Sequence, residues 1–196
     1  MEVIIHQINK IKKLRQIDKQ FGTEIDIRSK NSKLILNHEP YSNGDTLVNY
    51  LNEYNHGTLI LNIKETGIED DVIKLIKQYK KVKSFFLLDV EMPYIFKCLK
   101  NHQKNLAIRV SDYEEINSVK KFVNKFNWVW IDTYKTLPIK NLNDVRSING
   151  FKKCLVCPER WGRKKDIISY KNKLKKLNLN VDAVMTSYKT SNIWIR

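Results

Sequence analysis

Residues 23–28 read TEIDIR and residues 59–65 read LILNIKE. Side chains alternate across a strand, so TEIDIR puts Glu24 and Asp26 on one side and Ile25 and Ile27 on the other. LILNIKE repeats the pattern, with Asn62 and Lys64 opposed by Leu61 and Ile63. Strands with apolar residues on one face and a few polar ones on the other fit a parallel sheet buried on both faces. Two carboxylates held that close in such a place call for a cation or for protons.

Working outward, short β-branched or aromatic runs alternate with stretches of helical period. Strands are expected at 3–6, 24–28, 58–64, 84–88, 106–110, 128–132, 153–157 and 183–186. Helical spacing of Val72, Leu75 and Ile76 predicts a helix over 70–80, and Ile116, Val119 and Val123 predict one over 113–124. The unit after the second strand departs from the rhythm. There LILN (34–37) reads as a short extension beside that strand, YSNGDTL (41–47) as a turn, and 47–54 as the helix. Eight β/α units without a Gly-rich phosphate loop or a sheet-splitting linker favour a compact TIM (β/α)8 barrel with short loops, of class α/β. The 196 residues, 42% hydrophobic and 10% aromatic, supply one core, so a single domain over 1–196 is expected.

Cys98, Cys154 and Cys157 form no even framework, and the chain opens on a strand-like run rather than a signal peptide. A reducing, cytoplasmic setting is expected. Cys154 and Cys157 make a CxxC without a second ligand pair, which reads as buried strand rather than a zinc or redox site. No apolar run reaches the roughly 20 residues of a membrane span. The formal charge of +15 comes from lysines scattered through helical stretches such as KQYKKVK (77–83). With no aromatic-interleaved stripe, it reads as a solvated face; a nucleic-acid partner is not expected, and association with an acidic lipid surface stays open as a third reading.

Strand ends and the loops after them form the active face of such a barrel. His6 ends the first strand, and His38 lies in NHEP beside Glu39, where it can overhang the mouth. Two imidazoles suit phosphodiester chemistry, one taking a proton from the attacking hydroxyl and the other protonating the departing oxygen. Glu24, Asp26 and the Asn62 amide oxygen are candidate ligands for Mg2+ or Ca2+, and Lys64 for a phosphate. Arg160 and Trp161, with Arg163, lie in PERWGR (158–163) after the seventh strand and are candidate substrate contacts.

Taken in order, GTEIDIR, LILNHEP, TLILNIKETG, VKSFF and NVDAVMTSYKT resemble the motifs of the glycerophosphodiester phosphodiesterase family over nearly the whole chain. The resemblance implies a TIM barrel of the phosphatidylinositol phospholipase C-like kind and a divalent-metal-dependent hydrolase of a glycerophosphodiester, or of a related phosphodiester-linked metabolite or glycan, linked to lipid metabolism. It implies His6 and His38 as acid/base pair, Glu24 and Asp26 as metal ligands, and Lys64 on the phosphate. Asn62 stands where the family has a metal-binding glutamate. Gln7 replaces an arginine, Glu39 an aspartate and Ser187 a late aspartate. Gln7 and Glu39 join Lys64, Arg160 and Trp161 as expected substrate-side residues. The segment after His38 is too short for the family's usual insertion. These departures leave open a second expectation, a barrel that binds a phosphorylated ligand without turnover.

Overall fold

The computed structural model describes residues 1–195. Its contacts divide into two compact units, one of residues 4–97 and one of residues 1–3 with 98–195.

In the first unit, β1 (Glu2–Ile5) contributes Ile4 and Ile5, which pair in parallel with Gly22 and Thr23 of β2 (Gly22–Lys30). After β1 comes the short α1 (Ile11–Leu14). β2 does two jobs along its length. Residues Thr23 to Ile27 pair in parallel with a later strand, while Ile27 to Lys30 turn back antiparallel on β3 (Lys33–Leu36). Asn31 and Ser32 make the turn with φ of 49° and 60°. Two successive residues at positive φ match the twist of a tight hairpin. This hairpin is the extension anticipated at 34–37. Next come β4 (Asp45–Thr46), antiparallel to β3, and α2 (Leu47–Glu53), whose first turn is capped by the Thr46 hydroxyl accepting from Asn49 N–H at 3.2 Å. The parallel series resumes with β5 (Leu59–Ile63), α3 (Glu69–Ile76) and β6 (Phe85–Leu88). β5 lies between β2 and β6.

In the second unit, β7 (Ala107–Val110), β8 (Trp128–Ile131), β9 (Lys152–Val156) and β10 (Ala183–Thr186) run parallel in that order. Glu2 N–H donates to the Asp182 carbonyl at 2.7 Å. The crossover segments hold α4 (Met92–Lys100), which precedes β7, then α5 (Ile116–Lys120), α6 (Leu142–Ser147) and α7 (Ile167–Lys176).

All eight expected strands are present within a residue or two of their expected bounds. Two helices are shorter than their periodicity predicts. α3 ends at Ile76, and i→i+3 bonds from Gln78 to Leu75 and from Tyr79 to Ile76 tighten the chain there. α5 ends at Lys120, because the next residues also bond i→i+3, from Phe122 to Val119 and from Val123 to Lys120, before Asn124 turns at φ 63°. Cys154 in β9 and Cys157 just after it are buried free thiols.

Gly44 marks the tightest approach in the hairpin unit, since a Cβ there would lie 2.2 Å from the Leu36 carbonyl oxygen. Replacing it by alanine must push β3 from β4 and should lower stability by about 1–3 kcal/mol, the usual scale of overpacking. A urea midpoint equal to that of the parent protein would show that the hairpin yields without strain.

Candidate active site

β2 is buried on both faces: Ile25 and Ile27 are fully covered, and Glu24 and Asp26 are each only 1% exposed. A buried carboxylate costs free energy unless its oxygens are engaged. Here every one of the four oxygens meets a protein donor. Glu24 Oε1 accepts from Asn62 Nδ2 at 3.0 Å, and Oε2 accepts from the backbone N–H of Gln7 at 2.7 Å. Asp26 Oδ2 accepts from Asn9 Nδ2 at 2.7 Å, and Oδ1 lies 3.4 Å from Lys64 Nζ. The period-2 expectation for Glu24, Asp26, Asn62 and Lys64 thus becomes one connected cluster.

The segment after β1 wraps over this cluster. Gln7 has a φ of 59°, uncommon for a side chain of its kind, and this aims its N–H at Glu24. Ile8 N–H donates to the Glu24 carbonyl at 2.9 Å, and Asp26 N–H donates to Asn9 Oδ1 at 2.8 Å. His6 Nε2 lies 3.7 Å from Glu24 Oε2. Lys64 Nζ also lies 3.7 Å from Asp89, the residue after β6, so the ammonium stands between two carboxylates. Burial first, and Asp26 second, push the Glu24 carboxyl up to about 7, against the opposing pull of Asn62, Gln7 and Lys64.

His38 is placed differently. Its ring is 51% exposed and Nδ1 meets Glu39 Oε1 at 2.7 Å. Among the described residues no hydrogen bond or ion pair joins either side chain to Glu24, Asp26, Asn62 or Lys64. The backbone of His38 is nonetheless held. Arg28, in the second half of β2, donates from Nε and Nη2 to the His38 carbonyl at 3.1 and 3.0 Å, and from Nη1 to the Lys64 carbonyl at 2.8 Å. One guanidinium therefore ties the His38 loop and the end of β5 to β2, which its rigid fork suits.

Arg160 and Trp161 belong to the other unit. Trp161 Nε1 donates to Asp132 Oδ1 at 2.9 Å, while Trp130 Nε1 donates to Oδ2 at 3.3 Å and Arg109 Nε lies 3.9 Å from the same oxygen. Asp132 follows β8 and is buried, which raises its pKa against those three groups. The Trp161 ring packs on Tyr134 with centroids 4.2 Å apart. Arg163 donates to the carbonyls of Tyr134 and Thr133 at 2.5 and 2.6 Å, so its charge is used in fastening a loop. The Nε of Arg160 is buried without a hydrogen-bond partner.

Asn9, Arg28, Asp89 and Asp132 were not among the sequence candidates. Asn9 and Asp89 sit just beyond strands, where alternation no longer says which way a side chain points. Arg28 was visible as the last letter of TEIDIR, and Asp132 as the polar residue ending an aromatic strand.

A divalent cation was expected at Glu24, Asp26 and Asn62. Among the described residues, no three of His, Cys, Asp or Glu gather closely enough to hold a metal ion. The chemistry of the set nevertheless fits a hard cation, because Asn62 Oδ1 is a buried acceptor with no hydrogen-bond partner beside two carboxylates. With an amide as third donor, the set carries two negative charges.

No protein-family model matches the chain, and no curated protein matches it in sequence. Solved structures do match in fold. One is assigned as a glycerophosphoryl diester phosphodiesterase of Agrobacterium tumefaciens, 9% identical, with 100% of this chain and 96% of that one covered at a TM-score of 0.68. The glycerophosphodiester phosphodiesterase of Thermotoga maritima is 15% identical, with 99% and 97% covered at 0.66. A glycerophosphoryl diester phosphodiesterase of Parabacteroides distasonis is 12% identical, with 94% and 81% covered at 0.65. At these identities the likeness is one of fold, and that fold is the TIM (β/α)8 barrel. Among the described residues no helix is long and apolar enough to cross a membrane.

The Glu24 shift has a consequence for stability. A carboxyl whose pKa rises from 4.5 to about 7 on folding binds its proton more tightly in the folded chain. Stability therefore falls as pH rises between those values and is level above them. In chelator-treated protein, Glu24→Gln should gain on the parent protein by up to about 3 kcal/mol between pH 4.5 and 8. Urea titrations at both pH values measure it, and a constant gap would mean that Glu24 does not titrate there.

Proposed function

We propose that the chain is a divalent-metal-dependent phosphodiester hydrolase acting on a glycerophosphodiester or a related phosphodiester-linked metabolite or glycan. The observation that carries this reading is the convergence of His6 just after β1, the buried Glu24/Asp26 pair in the parallel half of β2, and Lys64 just after β5. The fold shared with glycerophosphodiester phosphodiesterases supports it.

In this reading Lys64 donates to a phosphate oxygen, and Asp26 and Asp89 on either side hold its ammonium in place. His6 takes the proton from the attacking hydroxyl, and Glu24 at 3.7 Å steadies the imidazolium that results. His38 returns a proton to the departing oxygen. Glu39 accepts from its Nδ1–H and so leaves Nε2 to face the substrate. Arg28 keeps the loop that carries His38 at the end of β2. Glu24, Asp26 and Asn62 Oδ1 would hold Mg2+ or Ca2+, which when bound supplies positive charge against the developing phosphoryl charge. The side chain of Gln7 completes the proposed substrate contacts, whereas Arg160 and Trp161 belong to the other unit and are not assigned to this centre.

A second reading, binding of a phosphorylated ligand without turnover, is favoured by one observation. All four oxygens of Glu24 and Asp26 already meet protein donors, which a metal ion must displace or share. The two readings separate by experiment. With Mg2+ or Ca2+ the protein should hydrolyse a glycerophosphodiester, and His6→Ala and His38→Ala should each lower kcat by about 100-fold or more. Activity untouched by both changes rejects the acid/base assignment. Calorimetric binding without product under either ion selects the second reading. Asn62→Glu, which restores a third carboxylate, should tighten Ca2+ binding at least about tenfold, read by calorimetry without substrate.

A further inference from the structure

The segment after β9 combines two kinds of surface. Trp161 is 41% exposed and Ile168 59% exposed, although both belong to well-anchored backbone. The Trp161 indole is fixed by Asp132 and Tyr134, and Ile168 follows Ile167, which α7 buries together with Tyr170 and Leu174. Between them, Lys164 and Lys165 are exposed, and Gly162 turns the chain at φ 76°. Residues 162–166 and Ile168 line one surface depression.

The charges here are sorted. Arg163 pairs with Asp166 at 3.1 Å and fastens the Thr133 and Tyr134 carbonyls. Glu159 accepts from Thr186 Oγ1 and from Ser187 N–H. The acids of the segment are thereby engaged. Among the described residues Lys164 and Lys165 have no carboxylate partner. What faces outward is a rigid indole, a β-branched aliphatic side chain and two uncompensated ammonium groups.

We propose that this segment, Trp161 with Lys164, Lys165 and Ile168, docks the protein on an anionic lipid surface. An indole prefers the boundary between headgroups and acyl chains, and lysines next to it answer the negative potential of acidic headgroups. The preset position of Trp161 lowers the ordering cost of docking. Ile168 decides between a lipid surface and a nucleic acid: an exposed aliphatic group gains by entering the acyl boundary and gains nothing from phosphates or base edges. The inference stands independently of the hydrolase reading, since it uses none of the residues around Glu24.

The test is co-sedimentation of the full chain with phosphatidylcholine vesicles with and without phosphatidylglycerol, at low and high salt, together with tryptophan emission. Binding is expected to the acidic vesicles only, to fall as salt rises, and to bring a blue shift of emission that Trp161→Phe removes. Lys164→Glu with Lys165→Glu should weaken binding at least about tenfold, and Ile168→Ser about threefold or more. Lys74→Glu with Lys77→Glu, an equal charge change at the C-terminal end of α3, should leave it within about twofold. Equal losses in the two double variants would overturn the proposal in favour of diffuse charge. So would equal binding to neutral vesicles, no binding to either kind, or a single-stranded RNA oligonucleotide that binds through Lys164 and Lys165 while vesicles do not.

Discussion

Two carboxylates two residues apart on one buried strand are the constraint around which the first unit is organised. Glu24 and Asp26 are enclosed as thoroughly as the isoleucines between and beside them. An isolated ion in such surroundings costs more than a domain's marginal stability can absorb, so it must be paired, hydrogen-bonded or protonated. The structure uses all three devices. Lys64 pairs with Asp26, the Asn9 and Asn62 amides and the Gln7 N–H occupy the remaining oxygens, and Glu24 holds its proton to about pH 7. The path of the chain after β1, with its positive φ at Gln7, follows from that demand. A non-glycine residue stays in that region only where its surroundings over-determine it.

Asn62 shows how one substitution type changes the character of such a centre. A carboxylate there would add a third negative charge and require a cation. An amide presents a donor and an acceptor together: its N–H side meets Glu24, and its oxygen has no partner. The centre can therefore persist with protein donors alone while leaving one buried oxygen without a hydrogen-bond partner. Were a hard cation bound there, two charges would attract it less than three. Lys64 works in the same direction, because its ammonium already offsets part of the charge that a metal would otherwise balance.

The strands were legible because their signal is local. Alternation in TEIDIR and LILNIKE sets side-chain direction, and direction set the cluster of Glu24, Asp26, Asn62 and Lys64. The extension at 34–37 was legible as a further apolar run beside that strand, but its hairpin pairing with β2 was not. Where the backbone leaves the strand, that rule lapses. His38 was assigned from its place in NHEP, and the structure holds its backbone through Arg28 while leaving its ring half exposed beside Glu39. Asn9 and Asp89 complete the cluster from loops whose course depends on contacts distant in sequence. Helix lengths were legible only in part: the apolar spacing through Val123 is real, but i→i+3 bonding ends α5 at Lys120.

The formal charge of +15 hides a division of labour between arginine and lysine. Arg28 and Arg163 each spend their forks on two backbone carbonyls, Lys64 and Thr133 among them, and act as internal fasteners. Their planar donors can do this because several bonds share one desolvated group. Lysine, with a compact and strongly hydrated charge, mostly remains outside, and Lys64 is held inside only between two carboxylates. Net charge therefore overstates what a partner can reach on the arginines and describes the lysines more faithfully. The PERWGRKKD segment contains both behaviours within nine residues: Arg163 faces inward onto carbonyls, and Lys164 and Lys165 face water. Within this segment the exposed, unpaired charge available to an anionic surface is that of Lys164 and Lys165, because Arg163 is already paired with Asp166 and Arg160 is partly buried.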